Sequence, residues 1–316
     1  MNMNNKAYTE PKILITVIIS VILSACATGS GGGGSASRPD FNSESPNISK
    51  PAKKSSAKKI TKVKPAAREV AKAPVKTTSS IKKCKVKNDS VAWIHIKGDC
   101  KDGYADGEGE AKSVDGKRQY IGMFDDGFFS DDGYYDWGNG ITYRGKFLES
   151  RKNGKGTLNF PDQQEYTGEF ENNLYHGDGE YTESDGSKYV GEFESGKYQG
   201  RGKYTWANGD VYDGTFNMNQ MSGEGVYSKA NGEQYIGEFA NNKKNGNGTY
   251  SWPSGDKYTG QFKDEKMNGE GEYLYADGSS YIGEFKNGLK HGSGTLNKDG
   301  EEINQQWENG EKIEGE

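Results

Sequence analysis

A chain of 316 residues has room for two ordinary domains, but only 31% of it is apolar, against roughly 45–50% in typical globular proteins, which excludes a large conventional core. Its apolar content is concentrated in 20 Tyr, 12 Phe and 5 Trp beside 46 Gly, too aromatic for a disordered chain and suited to a packing unit used many times. The net charge of −5 balances unlike parts: Lys50–Lys87 holds 14 basic residues and one acid, whereas residues 88–316 hold 24 basic and 42 acidic, a net of −18, so two functional regions are expected.

Residues 1–25 read as an export signal. Lys6 and Lys12 stand before the 11-residue apolar run Ile13–Leu23, which is too short to span a bilayer as a helix and fits the apolar region of a signal peptide. The run ends in Leu23-Ser24-Ala25-Cys26, which resembles the lipobox of bacterial lipoproteins. That resemblance implies cleavage before Cys26 and a lipid on its thiol; an uncleaved anchor with an incidental cysteine is the alternative. Ala27, rather than Asp, after the cysteine resembles the outer-membrane sorting pattern. Glu10 and the long start before the apolar run depart from the usual signal. The expected location is therefore the bacterial cell envelope, lipid-anchored at the outer membrane.

Residues 26–83 show no hydrophobic period. They open with Gly and Ser and continue with Lys, Ala, Ser and Pro, including Pro51, Pro65 and Pro74, a composition that cannot bury enough apolar surface to fold. As a coil this linker would reach on the order of 40 Å. Its charge fits either a contact with anionic wall polymer or headgroups, or a plain spacer; export argues against nucleic acid as a partner.

Residues 84–119 are expected to form an N-terminal cap. Cys84 and Cys100 are the remaining cysteines, and in an exported chain they are read as a disulfide, with two free thiols as the alternative.

Eight tyrosines follow at an unbroken spacing of 23, at positions 120, 143, 166, 189, 212, 235, 258 and 281. Counting each Tyr as position 0, Gly stands at +2 and Phe at +4 in all eight units, Gly at +13 in all eight, and Gly at +11 in all but the first, where Asp131 stands. Position +15 is Tyr or Leu. Alternation at 0, +2 and +4 is strand periodicity, and the second half alternates as well, so each unit reads as a β-hairpin. A loop is expected at +6 to +10 and a tight turn at +19 and +20, where Asp185-Gly186, Asn208-Gly209 and Asn231-Gly232 stand. The glycines would clear space on one face for rings from neighbouring strands.

The unit resembles the MORN repeat family, as in Tyr281-Ile282-Gly283-Glu284-Phe285-Lys286-Asn287-Gly288 and His291-Gly292-Ser293-Gly294-Thr295-Leu296. The resemblance covers residues 120–303. Gly103, Gly107, Gly109 and Ala111 look like the second half of a preceding unit opened by Trp93, and Ile303, Trp307 and Gly310 like the first half of a ninth, one residue early, with 304–316 as a C-terminal cap. The expected fold is all-β: an elongated, single-layer, twisted antiparallel sheet of consecutive hairpins.

Catalytic chemistry is not expected, nor a cofactor or a metal. His176 and His291 share position +10 in units far apart and read as turn residues, and the +3 acids Glu169, Glu192, Glu238 and Glu284 read as a solvated face opposite the aromatics. A membrane-anchored scaffold that binds a protein partner is the leading expectation. The alternative is peptidoglycan or another glycan, stacked on exposed aromatics at +17, Trp137, Trp206 and Trp252, for which extra core packing is the competing reading. Phospholipid binding is disfavoured by the charge of −18. Oligomeric state is left open.

Overall fold

The computed structural model describes residues 84–88 and 91–313; the export signal, Cys26 and the linker lie outside the described residues. Twenty strands, numbered β1–β20 in chain order, run from β1 (Trp93–Lys101) to β20 (Glu311–Ile313) in one sheet. Every strand pairs antiparallel with the next. Among the described residues there is no helix. At ~4.8 Å per strand the sheet extends on the order of 90 Å along its own stack.

The unit of Tyr212 shows how the sequence builds the repeat. Strand β11 (Val211–Asn217) covers positions −1 to +5 and β12 (Gln220–Ser228) covers +8 to +16. Between them Met218 and Asn219 form a two-residue turn with φ of 50° and 69°. Left-handed φ at both central residues is the requirement of the turn whose twist matches a hairpin. Asn172–Asn173 and Asn241–Asn242 do the same. The connection from β12 to β13 (Gln234–Ala240) is longer, residues 229–233, closed by the Lys229 amide donating to the Glu233 carbonyl at 2.8 Å. The two connections are thus the reverse of the expectation. At +19 and +20 of this unit only Gly232 takes positive φ, at 94°, while the Asn231 side chain accepts from the Glu233 amide at 3.0 Å.

The glycines fall into two classes. Gly214 (+2) faces Gly225 (+13) across the hairpin, and the ring of Tyr212, from the same unit, lies over both. A Cβ built on Gly214 would sit 2.5 Å from Tyr212 Oη, and one on Gly225 2.6 Å from it. The hydroxyl passes on to donate to the Thr215 carbonyl at 3.0 Å. Gly225 is covered from the neighbouring strand, as expected, whereas Gly214 is covered from its own strand, so each tyrosine covers its own hairpin. The +11 glycines do not belong to this face. They take left-handed φ, 61° at Gly223 and 55–80° in the other six, and Asp131 takes 45° in the first unit. The hairpin register shifts there, between Gly214 and Thr215, so Gly223 marks a bulge.

All eight position-0 tyrosines are fully buried, and the +4 phenylalanines are 3–6% exposed. Each tyrosine meets its own Phe edge-on and, up to Tyr258, the next unit's Phe as well, Trp307 taking that place for Tyr281; Tyr212 stands 5.1 Å from Phe216 and 4.9 Å from Phe239. Such pairs contribute about 0.5–1.5 kcal/mol each beyond area burial. The remaining ring face is closed by position +9, which the sequence reading passed over. Phe129 stacks on Tyr120 at 3.8 Å, Tyr175 on Tyr166 at 3.8 Å and Tyr198 on Tyr189 at 3.9 Å. Met221 and Met267 hold the same position, as do Lys152, Lys244 and Lys290.

Successive units are joined at their hairpin tips as well as along their strands. The Asn219 amide donates to the Tyr198 carbonyl at 3.0 Å, while the Asn219 side chain accepts from the Tyr198 amide at 2.8 Å. Asn173 grips Lys152, and Asn242 grips Met221, in the same two-way manner. This clamp explains why a small polar residue recurs at +7.

Both ends follow the repeat with substitutions. In the N-terminal part-unit, His95 takes the place of the tyrosine: it is 5% exposed, lies over Gly98 and Gly109, and meets Phe124 edge-on at 5.7 Å. Cys84 is bonded to Cys100 with 5.7 Å between their Cα atoms. The segment after Cys84 runs across the first hairpin tips, with the Lys85 amide donating to the Gly103 carbonyl and the Lys87 amide to that of Gly127. At the other end β18 (Leu289–Lys298) pairs with β19 (Glu301–Glu308), setting Ile303 opposite Leu296 and Trp307 opposite Gly292. Ile303 therefore stands at position 0 and Trp307 at +4, one residue early.

Candidate interaction surface

The aromatic face has a closed centre and an open margin. Positions 0 and +4 are sealed, whereas the +17 rings are half-buried; at +15 Tyr181, Tyr204 and Tyr227 are half-buried while Tyr135, Tyr250 and Tyr273 are buried, and both positions run along one side of the face. Trp206 stands 4.6 Å from Tyr204 and 5.4 Å from Tyr227, and Trp252 4.6 Å from Tyr250 and 5.4 Å from Tyr273. Trp137 lies 4.2 Å from Tyr135. The three candidate tryptophans are brought onto one margin, each against a +15 ring with part of its surface open. Phe160 and Tyr275 continue the +17 row.

Acids are threaded through this margin. Tyr204 donates to Glu183 at 2.7 Å, Tyr227 to Asp210 at 2.9 Å and Tyr250 to Glu233. Burial, reinforced by these carboxylates, raises the three phenols above their ordinary value. Burial also raises the Glu183 carboxyl, against the hydrogen bond from Tyr204. At Glu233 burial pushes upward too, but hydrogen bonds from Lys229, Tyr250 and Asn231 outweigh it and hold the carboxyl below its usual value. The margin is a row of rings with fixed negative charges between them.

Cations enter the face at +9. Lys152 extends to within 5.4 Å of the Trp137 ring centre, and Lys290 lies 4.0 Å over Tyr281 and 4.5 Å from Trp307. Burial lowers both amines to about 8. Lys244, at the same position, is paired with Glu265 at 2.7 Å.

The opposite face carries the +3 acids as expected, but they do more than meet solvent. Glu192 accepts from the Arg201 amide at 2.9 Å and Glu238 from the Asn247 amide at 2.8 Å. Each carboxylate folds over the bulge glycine, and a Cβ on Gly246 would lie 2.6 Å from the Glu238 carboxyl. His176 lies in β8 (Leu174–Thr182) beside the bulge, rather than in a turn, with its Nδ1 3.4 Å from Glu171. His291 is likewise in a strand, accepting from the Asn309 amide at 3.4 Å. Among the described residues the one cluster with metal-ligand composition is Cys84, His95 and Cys100, within 4.8 Å of one another. Both of its sulfurs are taken up in the disulfide.

Seven consecutive MORN repeats match the chain, at residues 143–165, 166–188, 189–211, 212–234, 235–257, 258–280 and 281–300. They span half of its length, and the chain belongs to the MORN repeat family. The unit of Tyr120 and both part-units fall outside the matched span. No curated protein matches the chain. Among solved structures, it is similar to the TCP domain of SAS-4 (dCPAP) from Drosophila melanogaster, in complex with a proline-rich motif of Ana2 (dSTIL). The identity is 13% and the TM-score 0.32, covering 48% of this chain and 83% of that one. It is also similar to the TCP10 domain of CPAP from Danio rerio, at 16% identity and a TM-score of 0.26, covering 56% and 89%. The same domain bound to a STIL peptide gives 16% identity and a TM-score of 0.25, covering 68% and 100%.

Proposed function

We propose that this chain is a non-catalytic scaffold of the bacterial envelope, held at the outer membrane by a lipid on Cys26 and spaced from it by the basic linker. It binds other proteins along the open margin of its aromatic face. One observation carries the interaction reading: half-buried rings recur at +17, and at +15 in Tyr181, Tyr204 and Tyr227, with half-buried acids between them. Such a row offers aromatic anchors with polar groups at fixed intervals, the composition that protein interfaces favour. The lipid anchor is supported by the signal-like start and Leu23-Ser24-Ala25-Cys26.

The test is affinity capture from detergent-solubilised envelope with the full chain, beside a Tyr204→Ala/Trp206→Ala variant. Specific proteins should be recovered by the parent and lost by the variant. The partial exposure of Trp137, Trp206 and Trp252 favours one competing reading, stacking on wall glycan. Recovery of purified wall fragments without protein would establish that alternative instead.

A further inference from the structure

The +9 lysines allow an internal comparison. Lys244 is 9% exposed, lies against the rings of Tyr235 and Tyr250, and is paired with Glu265 from position +7 of the next unit. The carboxylate is delivered by a backbone contact, since the Glu265 amide donates to the Lys244 carbonyl at 3.0 Å. Lys290 has the same place in its unit, and the equivalent backbone contact comes from Gly310 at 2.9 Å. Glycine brings no carboxylate. Among the described residues no acid pairs with Lys290.

Lys290 instead lines an open depression of about 300 Å³, together with Lys298, Lys312, Tyr275, Gln305 and Trp307. Asp277 also lines it, and its carboxyl is held low first by the Ser279 hydroxyl, then by the Ser279 amide. Three cations face one acid in a body that is otherwise strongly anionic. Two of its lining side chains carry a buried polar atom without a hydrogen bond, Trp307 at Nε1 and Gln305 at Oε1. Buried polar atoms are normally paired, so the Trp307 Nε1–H donor beside Lys290 points to an acceptor that completes it.

We propose that this depression is a carboxylate-binding site that takes an Asp or Glu side chain of a partner protein, filling beside Lys290 the place that Glu265 fills beside Lys244. The inference rests on the protein-interaction reading above. It also gives the surface a direction. The margin from Glu183 to Asp256 carries acids and the depression carries three lysines, so a partner of opposite polarity docks one way round.

The test titrates the full chain with the acetylated, amidated peptide Thr-Glu-Thr-Glu-Thr-Glu. Saturable one-to-one binding is expected, at least tenfold weaker for the peptide with Gln in place of Glu and for the Lys290→Gln variant. Binding should weaken between pH 7 and 9 as the Lys290 amine loses its proton. Retention of the parent's thermal melt shows that Lys290→Gln is folded. Equal binding by parent and variant overturns the site. So does equally strong competition by inorganic phosphate, which would make it a plain anion site. Binding seen only after Glu314→Gln and Glu316→Gln would show that the chain's own acids fill it, and absence of binding in every arm refutes it outright. If Lys290→Gln still captures the parent's partners from envelope, this inference fails while the scaffold reading stands.

Discussion

Tyr212 and Gly225 sit on different strands of one hairpin, and the tyrosine ring occupies the space a side chain at Gly225 would need: a Cβ there would be 2.5 Å from the ring carbon Cε2. Gly214 supplies the other half of the bare floor, and Met221 stands at the position that closes the ring from above in other units. A ring held between backbone and one side chain is buried without a second protein layer. That is how 31% apolar content suffices.

Gly214→Val should therefore destabilise the centre of the sheet although valine has the better strand preference. Overpacking costs about 1–3 kcal/mol, set against at most about 1 kcal/mol of propensity. Asp213→Val, on the exposed opposite face, should hold or raise stability. Denaturant melts and amide exchange near Tyr212 check both, with damage confined to adjacent units; equal tolerance of the two changes would refute the packing account.

Gly223 makes a different prediction. A Cβ there meets only Thr215, at 3.7 Å, an ordinary contact, but its φ is 61°. Gly223→Ala should cost about 1 kcal/mol through backbone strain alone. Gly223→Asn should cost less, because Asn tolerates that region and Asp131 already adopts it. Thermal melts of the two variants decide the order.

What the sequence showed and concealed follows from what repeats. The period of 23, the hairpin and the buried Tyr and Phe were legible because they recur in every unit. The +9 position was missed because Phe, Tyr, Met and Lys alternate there with no shared chemistry, and only the geometry shows that each closes a tyrosine ring. The two connections were exchanged because Asn-Gly was weighed above Asn-Asn and Met-Asn; either residue can be left-handed, and the bulge at Gly223 then absorbs what had looked like loop. His95 was invisible as a tyrosine substitute, since its role appears only through Gly98 and Gly109. The margin at +17 was found through its three tryptophans, while the Tyr–carboxylate bonds beside it connect positions 17–21 residues apart.

The lipid anchor predicts the chemistry of the mature N-terminus. Cys26→Ser should abolish lipid attachment and leave the protein as an unprocessed precursor or released from the membrane. Intact mass measurement of detergent-extracted parent protein checks this, and an unmodified Cys26 in that material rules the anchor out.

Non-reducing peptide mapping should recover Cys84 joined to Cys100. In the chain-entropy account a loop of about 16 residues is worth ~3 kcal/mol. Reduction should loosen first the segment after Cys84 that crosses the tips at Gly103 and Gly127, seen as faster exchange of the Lys85 and Lys87 amides with exchange in the central units unchanged.

Lys152 places a cation where other units hold Met221 or Met267, and burial lowers its amine to about 8. Its folded value lies below its unfolded one, so between about pH 8 and 10.5 the unfolded chain holds the proton that the folded chain has lost. Stability from this group then rises with pH across that window, and the burden of burying the charge is fullest below pH 8. The rings of Trp137 and Tyr143 recover part of it, about 0.5–1 kcal/mol for a cation over an aromatic face. Lys152→Met keeps the ring closed and removes the charge, so it should stabilise the protein at pH 7 by on the order of 1 kcal/mol. The gain should shrink toward pH 10, where the parent's amine is neutral as well. Phenol ionisation near that pH affects parent and variant alike, so the difference between their melts isolates the lysine. A gain that stays constant from pH 7 to 10 would mean that packing, and not the buried charge, separates the two side chains.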